Sequence, residues 1–453
     1  MQNKTALSQK RYIRQGSTAL RGMLFVMRII LLPLFLSAGL CGCNNDHKFP
    51  YEEKQLLIQL REEIVADLQE NLLPFWKNFS VDPDDPNEGF YGAIAYDGAG
   101  ITDAGKHNVL FTRYLWTYSA AYRIFGDDES LELAHRAYNY LTNFFWDEEN
   151  GGVHWQLNAD GTVRDSIKMT YGLAFAIYAF SEYYRISGNE ESLNKAIQIF
   201  HLLEEHAYDP LYGGYLEAFT TDWKFVPGQG MASGRSKSMN THLHLLEAYT
   251  NLYRVWPDAE LEDKMHEMID VFWDHILNTE THHLELYFER DWTVYGRYDS
   301  YGHDIEFAWL FDEAGQVLED PELIRKIQEA SVKIAQVQLE EGMNPHGAMI
   351  YEKIGEDRYR DNLSWWVQSE AVVGFINAYE ISRDRKFLDA AIGVWEYVRD
   401  NMIDREHGGW YANLDADGTP RPNARKGDGW IGPYHNGRMG FEIYERFHNL
   451  NNH

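Results

Sequence analysis

Residues 171–178 read YGLAFAIY, a segment apolar on every face of the helix it predicts, whereas residues 190–205, EESLNKAIQIFHLLEE, carry charge along one face only. A helix that is apolar all round belongs inside a fold, and one with a single apolar stripe belongs at its edge. The two segments are joined through Tyr184-Arg185 and Gly188, a helix end followed by a tight turn. The same landmark recurs as Tyr122-Arg123 before Gly126, Tyr253-Arg254 before Pro257 and Tyr379-Glu380 before Arg383-Asp384. Each copy predicts a buried inner helix handing over to a half-exposed outer one.

A second landmark sets the period. An acidic residue or Asn stands four positions before Gly and an extended aromatic stretch: Asp85 before Gly89, Asp147 before Gly151, Asp209 before Gly213 and Asp404 before Gly408. Degenerate copies fall at Asn278, before His282-His283, and at Asn344. The successive spacings are 62, 62, 69, 66 and 60 residues, the length of two ordinary helices with their loops. Six such units predict an all-α (α/α)6 barrel of six inner and six outer helices, with loops and short hairpins gathered at one pole. An open superhelical stack of helix pairs is the alternative.

Polar residues fall at equivalent points of these repeats. Ten positions before the second residue of the landmark stand Arg113, His244 and Glu370, and fourteen positions before it stand Tyr171, Asn240 and Trp366. Positions four apart lie one above the other on a helix face, so the two rows form adjacent layers near the starts of the inner helices, converging on the barrel axis. Buried Arg, His, Glu and Asn are costly unless they meet one another, which makes that pole the candidate site. Two further segments join it. SYGHDIEFAWL from Ser300 places His303 and Glu306 three apart with Trp309 a turn later, and GDGWIGPYHNGR from Gly427 reads as a loop entering the last inner helix, with Trp430 and His435 on it. His244/Glu247 and His303/Glu306 also match the i, i+3 spacing of a helical dimetal site, though such sites usually need more carboxylates. His282 and His283, in a connecting loop, are expected to be solvated.

Composition narrows the chemistry. The formal charge of −29 leaves no basic face for phosphates, so nucleic acid is excluded as a partner, and no phosphate loop accompanies a βαβ pattern, so nucleotide cofactors lack a cradle. The aromatic load of 14 Trp, 29 Tyr and 23 Phe suits the C–H faces of sugars. Residues 1–43 differ from the rest: they carry six Lys or Arg and no acid, then the apolar run Ile29 to Leu40, too short to span a bilayer but right for a signal peptide. The run closes on Leu40-Cys41-Gly42-Cys43, which resembles a bacterial lipobox acylated at Cys43. The expectation is an exported chain, lipid-anchored in the periplasm or at the outer membrane, with residues 1–43 as signal and 44–453 as one barrel domain. Cys41 and Cys43 are the only cysteines, so thiol chemistry is excluded from the mature protein.

The segments FTRYLWTYS from Phe111, NTHLHLLEAYTNLYRVWPD from Asn240, GHDIEFAWL from Gly302, WWVQSEAVVG from Trp365 and GWIGPYHNG from Gly429 resemble the N-acylglucosamine 2-epimerase superfamily, most closely its cellobiose 2-epimerase branch. The resemblance implies epimerisation at C2 of the reducing-end sugar of β-1,4-linked disaccharides, with no cofactor and no metal. It implies His303 and His435 as the bases that exchange the C2 proton, His244 in ring opening or in holding hydroxyls, and Arg113 on the developing oxyanion. It implies Trp366 as a stacking platform with Trp365, Trp309 and Trp430 shaping the walls, and Tyr171, Asn240, Glu306 and Glu370 on hydroxyls or orienting the histidines. Two rival functions stay open: a glycoside hydrolase on the same architecture using Glu306 and Glu370, and a glycan-binding lipoprotein without catalysis.

Overall fold

Helix α1 (Tyr51–Asp67) opens the computed structural model, which describes residues 49–231, 233–421 and 424–450; the apolar run and Cys43 lie outside the described residues. After α2 (Leu73–Phe79) come five helical hairpins: α3 (Asn108–Phe125) with α4 (Asp128–Tyr140), α5 (Thr170–Ser187) with α6 (Glu190–His206), α7 (Met239–Tyr253) with α8 (Ala259–Val271), α9 (Tyr301–Leu318) with α10 (Pro321–Glu341), and α11 (Trp365–Ser382) with α12 (Arg385–Tyr397). Helix α13 (Tyr434–Phe447) ends the chain.

Helices α3, α5, α7, α9, α11 and α13 pack side by side in that order, and α13 returns against α3, so the inner ring is closed rather than open. Each outer helix packs on its own inner partner, and α1, first in sequence, covers α13, last in sequence. Arg61 of α1 ties that seam by donating to the carbonyls of Phe447 and Leu450 at 2.8 and 3.0 Å. The patterning accounts for the two rings. Every residue of α3 from Asn108 to Ala121 is buried, whereas α6 buries only a stripe that includes Leu193, Ala196, Ile199, Phe200 and Leu203.

Most inner-to-outer turns share one device. In four of the five a left-handed residue stops the inner helix, at φ 67° for Gly126 and 62° for Gly188, while α7 ends at Arg254 without one, and in most an Asx side chain caps the next helix, as Asn189 does for the amides of Glu191 and Ser192. Glu319 and Arg383 take the same left-handed conformation at a cost of about 1 kcal/mol, which is why no Gly marked those turns in the sequence.

The outer helices end differently. The last turn widens to an i→i+5 hydrogen bond, from Trp146 N to Leu141 O, Tyr208 N to Leu203 O, Leu277 N to Phe272 O and Ile403 N to Val398 O. The next residue is in each case the Asp or Asn of the second landmark. Its side-chain oxygen accepts the amides of the turn, as Asp147 does from Glu149 and Asn150, and where it is Asp it also meets a buried lysine that leads into an inner helix. The pairs are Lys106–Asp85, Lys168–Asp147, Lys237–Asp209 and Lys426–Asp404. Short antiparallel strands stitch the same pole: Lys106–His107 pairs with Gln156–Leu157, Lys168–Met169 with Ala218–Phe219, Lys237–Ser238 with Tyr287–Phe288, and Leu363–Ser364 with Asn413–Leu414. Each pairing joins the entry of a helix pair to its exit, so the starts of the inner helices are held around one opening.

Two local expectations fail. His283 is buried rather than solvated, with Nδ1 2.7 Å from Asp304 of α9, and this pairing raises its pKa to about 9 against the opposing effect of burial. His435 is not on a loop: it is the second residue of α13, because Asp428 accepts the amides of Trp430 and Ile431 and turns the chain early.

Candidate active site

The opening leads to a cavity of about 450 Å³, within the range of small-molecule sites, lined among others by Arg113, Tyr171, Asn240, His244, His303, Glu306, Trp365, Trp366, Trp430 and His435. All six inner helices and the segment before α13 therefore contribute to one pocket. Three of its imidazoles are anchored through Nδ1. His244 bonds Glu247 at 2.8 Å, His435 bonds Glu370 at 2.7 Å, and His303 bonds the Ser300 hydroxyl at 2.7 Å rather than Glu306. The carboxylate partners accept, so Nδ1 of His244 and His435 carries the hydrogen and Nε2 is left with its lone pair. Burial holds all three rings neutral: it lowers His303 to about 3, helped by His244, and it lowers His244 and His435 as well, with Arg113 adding to the effect on His435.

Arg113 is unusual among buried cations. It donates to the Trp430 carbonyl at 2.6 Å and to the Tyr171 hydroxyl at 3.2 Å, lies over the rings of Phe175 and Tyr434, and has no carboxylate partner among the described residues. A guanidinium at a cavity wall with only neutral partners is poised for an anion that forms there. Trp366 touches the histidines of the two flanking helices, with ring centroids 4.7 Å from His303 and 5.6 Å from His435. Asn240 Oδ1, Glu306 Oε2 and the Trp365 indole nitrogen have no hydrogen-bond partner among the described residues, which leaves them open to ligand hydroxyls.

Beneath the cavity lies a residue to which the sequence reading gave no role. Arg438, fully buried on α13, bonds Glu306 at 2.6 Å, Glu370 at 2.7 Å and, more closely still, Glu247 and the Tyr434 hydroxyl. Glu247 is held at about 2, because Arg438 and His244 outweigh the upward push of burial. Burial raises Glu306, with repulsion from Glu370 adding to it, and burial also raises Glu370 against the pull of Arg438. Glu306, Glu370 and His435 sit close enough to share a metal ion, but the Arg438 guanidinium already occupies the position of the cation between the two carboxylates.

Trp309 and Glu370 stand behind the wall rather than on it. Trp309 is buried and donates its indole N–H to Glu370 at 3.0 Å, while the other Glu370 oxygen orients His435. The repeat offset explains the place of Trp309 and the missed residues, while Glu370 is drawn off the wall by Trp309, His435 and Arg438. Counting back ten from Glu445, after Tyr444, arrives at His435, in one row with Arg113, His244 and Glu370. Counting back seven from Arg254 and Glu445 gives Glu247 and Arg438, and the corresponding position of α9 is Trp309, so these three form the layer below.

The model of the N-acylglucosamine 2-epimerase family matches residues 89–436. The cellobiose 2-epimerase of Bacteroides fragilis is 42% identical over 388 residues, covering 85% of this chain and 98% of that protein. The enzyme of the same name from Ruminococcus albus is 38% identical with the same coverage. The solved structure of the cellobiose 2-epimerase from Bacillus thermoamylovorans superposes with a TM-score of 0.81 at 36% identity, over 86% of this chain and 100% of that one. With the matched segment taking in every residue of the cavity from Arg113 to His435, the chain belongs to the N-acylglucosamine 2-epimerase family, in its cellobiose 2-epimerase branch.

Proposed function

We propose that this chain catalyses the reversible epimerisation at C2 of the reducing-end sugar of β-1,4-linked disaccharides of the cellobiose, mannobiose and lactose type. The observation that carries the reading is the set of neutral imidazoles anchored through Nδ1 around one cavity, beside a guanidinium with no carboxylate partner. In the proposed reaction the ring opens with help from His244, and Nε2 of His303 or His435 takes the C2 proton. The electron pair moves onto the C1 carbonyl oxygen to give an enediolate, which Arg113 stabilises. A proton reaches the opposite face of C2 through the other imidazole, which is neutral at rest and takes that proton from solvent once the enediolate has formed, while the first imidazole releases its own proton to solvent. Trp366, touching both rings, offers the face on which the sugar lies flat between them.

The hydrolase alternative needs two carboxyl groups on either side of a glycosidic bond, about 5–5.5 Å or 6.5–9.5 Å apart. Glu306 and Glu370 instead bind the same Arg438 nitrogen, and Glu370 is turned away from the cavity. Lipid anchoring at Cys43 belongs to the same proposal: it would put the reaction on oligosaccharides outside the cytoplasm.

Two measurements test the reaction. Turnover of cellobiose in heavy water should give an isomeric disaccharide labelled with deuterium at C2; two monosaccharides, or an unlabelled epimer, would overturn the reading. Replacing His303 or His435 by Asn should lower net epimerisation by about 10²- to 10⁴-fold, while NMR still detects exchange of one epimer's C2 proton in a one-base variant. Full epimerisation by both folded variants would remove them as the bases.

A further inference from the structure

Trp430 separates two cavities. On one side it lines the catalytic pocket; on the other, with Asp428, it lines a second cavity of about 510 Å³ at the same pole. At 40% exposure it stands out from Trp309 at 1% and Trp365 at 7%. The second cavity is built on fixed backbone. Gln156 lies on the strand paired with Lys106–His107, Arg164 on the strand Val163–Asp165 beside it, and the facing wall is held by the bridge between Ile94 and Gly427. Gly105 lies beneath the Arg164 guanidinium, 2.9 Å from where a Cβ would stand.

The polar groups of this cavity are unspent. The side chains of Asp103, Gln156, Arg164 and Arg425, all lining it, form no hydrogen bond or ion pair among the described residues. Two guanidiniums, a carboxylate and an amide beside an exposed indole alternate donors with acceptors around an apolar face, and the charges nearly balance. That set suits a neutral, hydroxyl-rich ring better than an anion or an apolar group.

We propose that this second cavity is an extension subsite for the third sugar of a β-linked oligosaccharide. The proposal rests on the reading above, which fixes the direction of the chain: the reducing sugar lies between His303 and His435, so every further sugar must leave past the mouth, over Trp430 and toward Arg164 and Arg425.

The test compares kcat/KM for cellobiose and cellotriose in the full-length protein and in its Arg164→Ala and Arg425→Ala variants. The expected result is a preference for the trisaccharide in the unaltered enzyme. The double variant should lose about tenfold on the trisaccharide alone, as removal of charged hydrogen-bond donors costs, with cellobiose turnover intact. Equal loss on both substrates, or no loss on either, would overturn the subsite. If cellobiose is not turned over at all, the proposed reaction fails, and calorimetric binding of cellotriose still decides the subsite: tighter binding by the unaltered protein supports it and equal binding rejects it. Stronger binding of a uronate-bearing trisaccharide than of cellotriose would reject the neutral-sugar assignment.

Discussion

Arg438 holds carboxylates from α7, α9 and α11 to α13, and two of them, Glu247 and Glu370, orient His244 and His435. It is a positioning residue, and its loss should show in pH behaviour as well as in stability. Burial keeps the histidines neutral below their ordinary pKa of about 6.5, so the acid limb of kcat/KM should lie well below that value. The linkage has the same sign: below about pH 6.5 the unfolded chain binds protons that the folded imidazoles refuse, so stability falls as pH drops through that window. Arg438→Met removes one of the cations that depress His435, and the acid limb should move to higher pH. Unpaired carboxylates left in the interior should cost about 3–5 kcal/mol in denaturant unfolding, and Arg438→Lys should recover part of this without restoring the fork that spans three partners. A folded Met variant with an unmoved limb would show that Arg438 does not tune the histidines. The cavity rows were legible in the sequence because a constant offset recurs from helix to helix. Arg438 escaped because no outer helix follows α13 among the described residues, so its Tyr444-Glu445 landmark did not announce a hairpin, and because a charge at that depth makes sense only once Glu247, Glu306 and Glu370 are seen around it.

The recurrent element is the latch between an outer helix's exit and the next inner helix's entry. Lys168 is fully buried and reaches Asp147 at 2.7 Å, and the same pairing joins Lys237 to Asp209 and Lys426 to Asp404. Burial pushes Asp147 upward, but Lys168 and the turn amides outweigh it and hold the carboxyl at about 2. Its folded pKa is thus below the unfolded value near 4, so this stabilisation is present above about pH 4 and is lost as pH falls toward 2. Lys168→Met should destabilise the protein by about 3–5 kcal/mol in urea unfolding, because a buried carboxylate is left without its cation. Adding Asp147→Asn should restore much of the loss, since the pair is then removed as a unit. A Lys168→Met variant within 1 kcal/mol of the parent would show that the pair carries no stability. The Asp and Gly of each turn were readable as a period of roughly 60 residues, yet the lysine was not, because it arrives from the following element. The widened last turn of the outer helices left no mark either: an i→i+5 bond needs no particular residue.

At the scale of the molecule, the inner ring closes where α13 packs against α3, and α1 covers α13 from outside, a contact between the two ends of the described chain that no local pattern announces. Counting units gave the right number of helices but could not distinguish a ring from an open stack. No helix among the described residues is long and apolar enough to cross a membrane, so the proposed attachment rests on Cys43 alone. If that cysteine is acylated, the protein should fractionate with membranes, resist extraction by high salt and be released by detergent, because acyl chains rather than charge hold it there. Cys43→Ala should move it to the soluble fraction with its epimerase activity unchanged, since no thiol takes part in the proposed chemistry. Mass spectrometry of the membrane form should find the chain beginning at a lipid-modified Cys43. A parent protein recovered uncleaved from the soluble fraction, indistinguishable there from Cys43→Ala, would overturn the anchor and leave the barrel's chemistry as it stands.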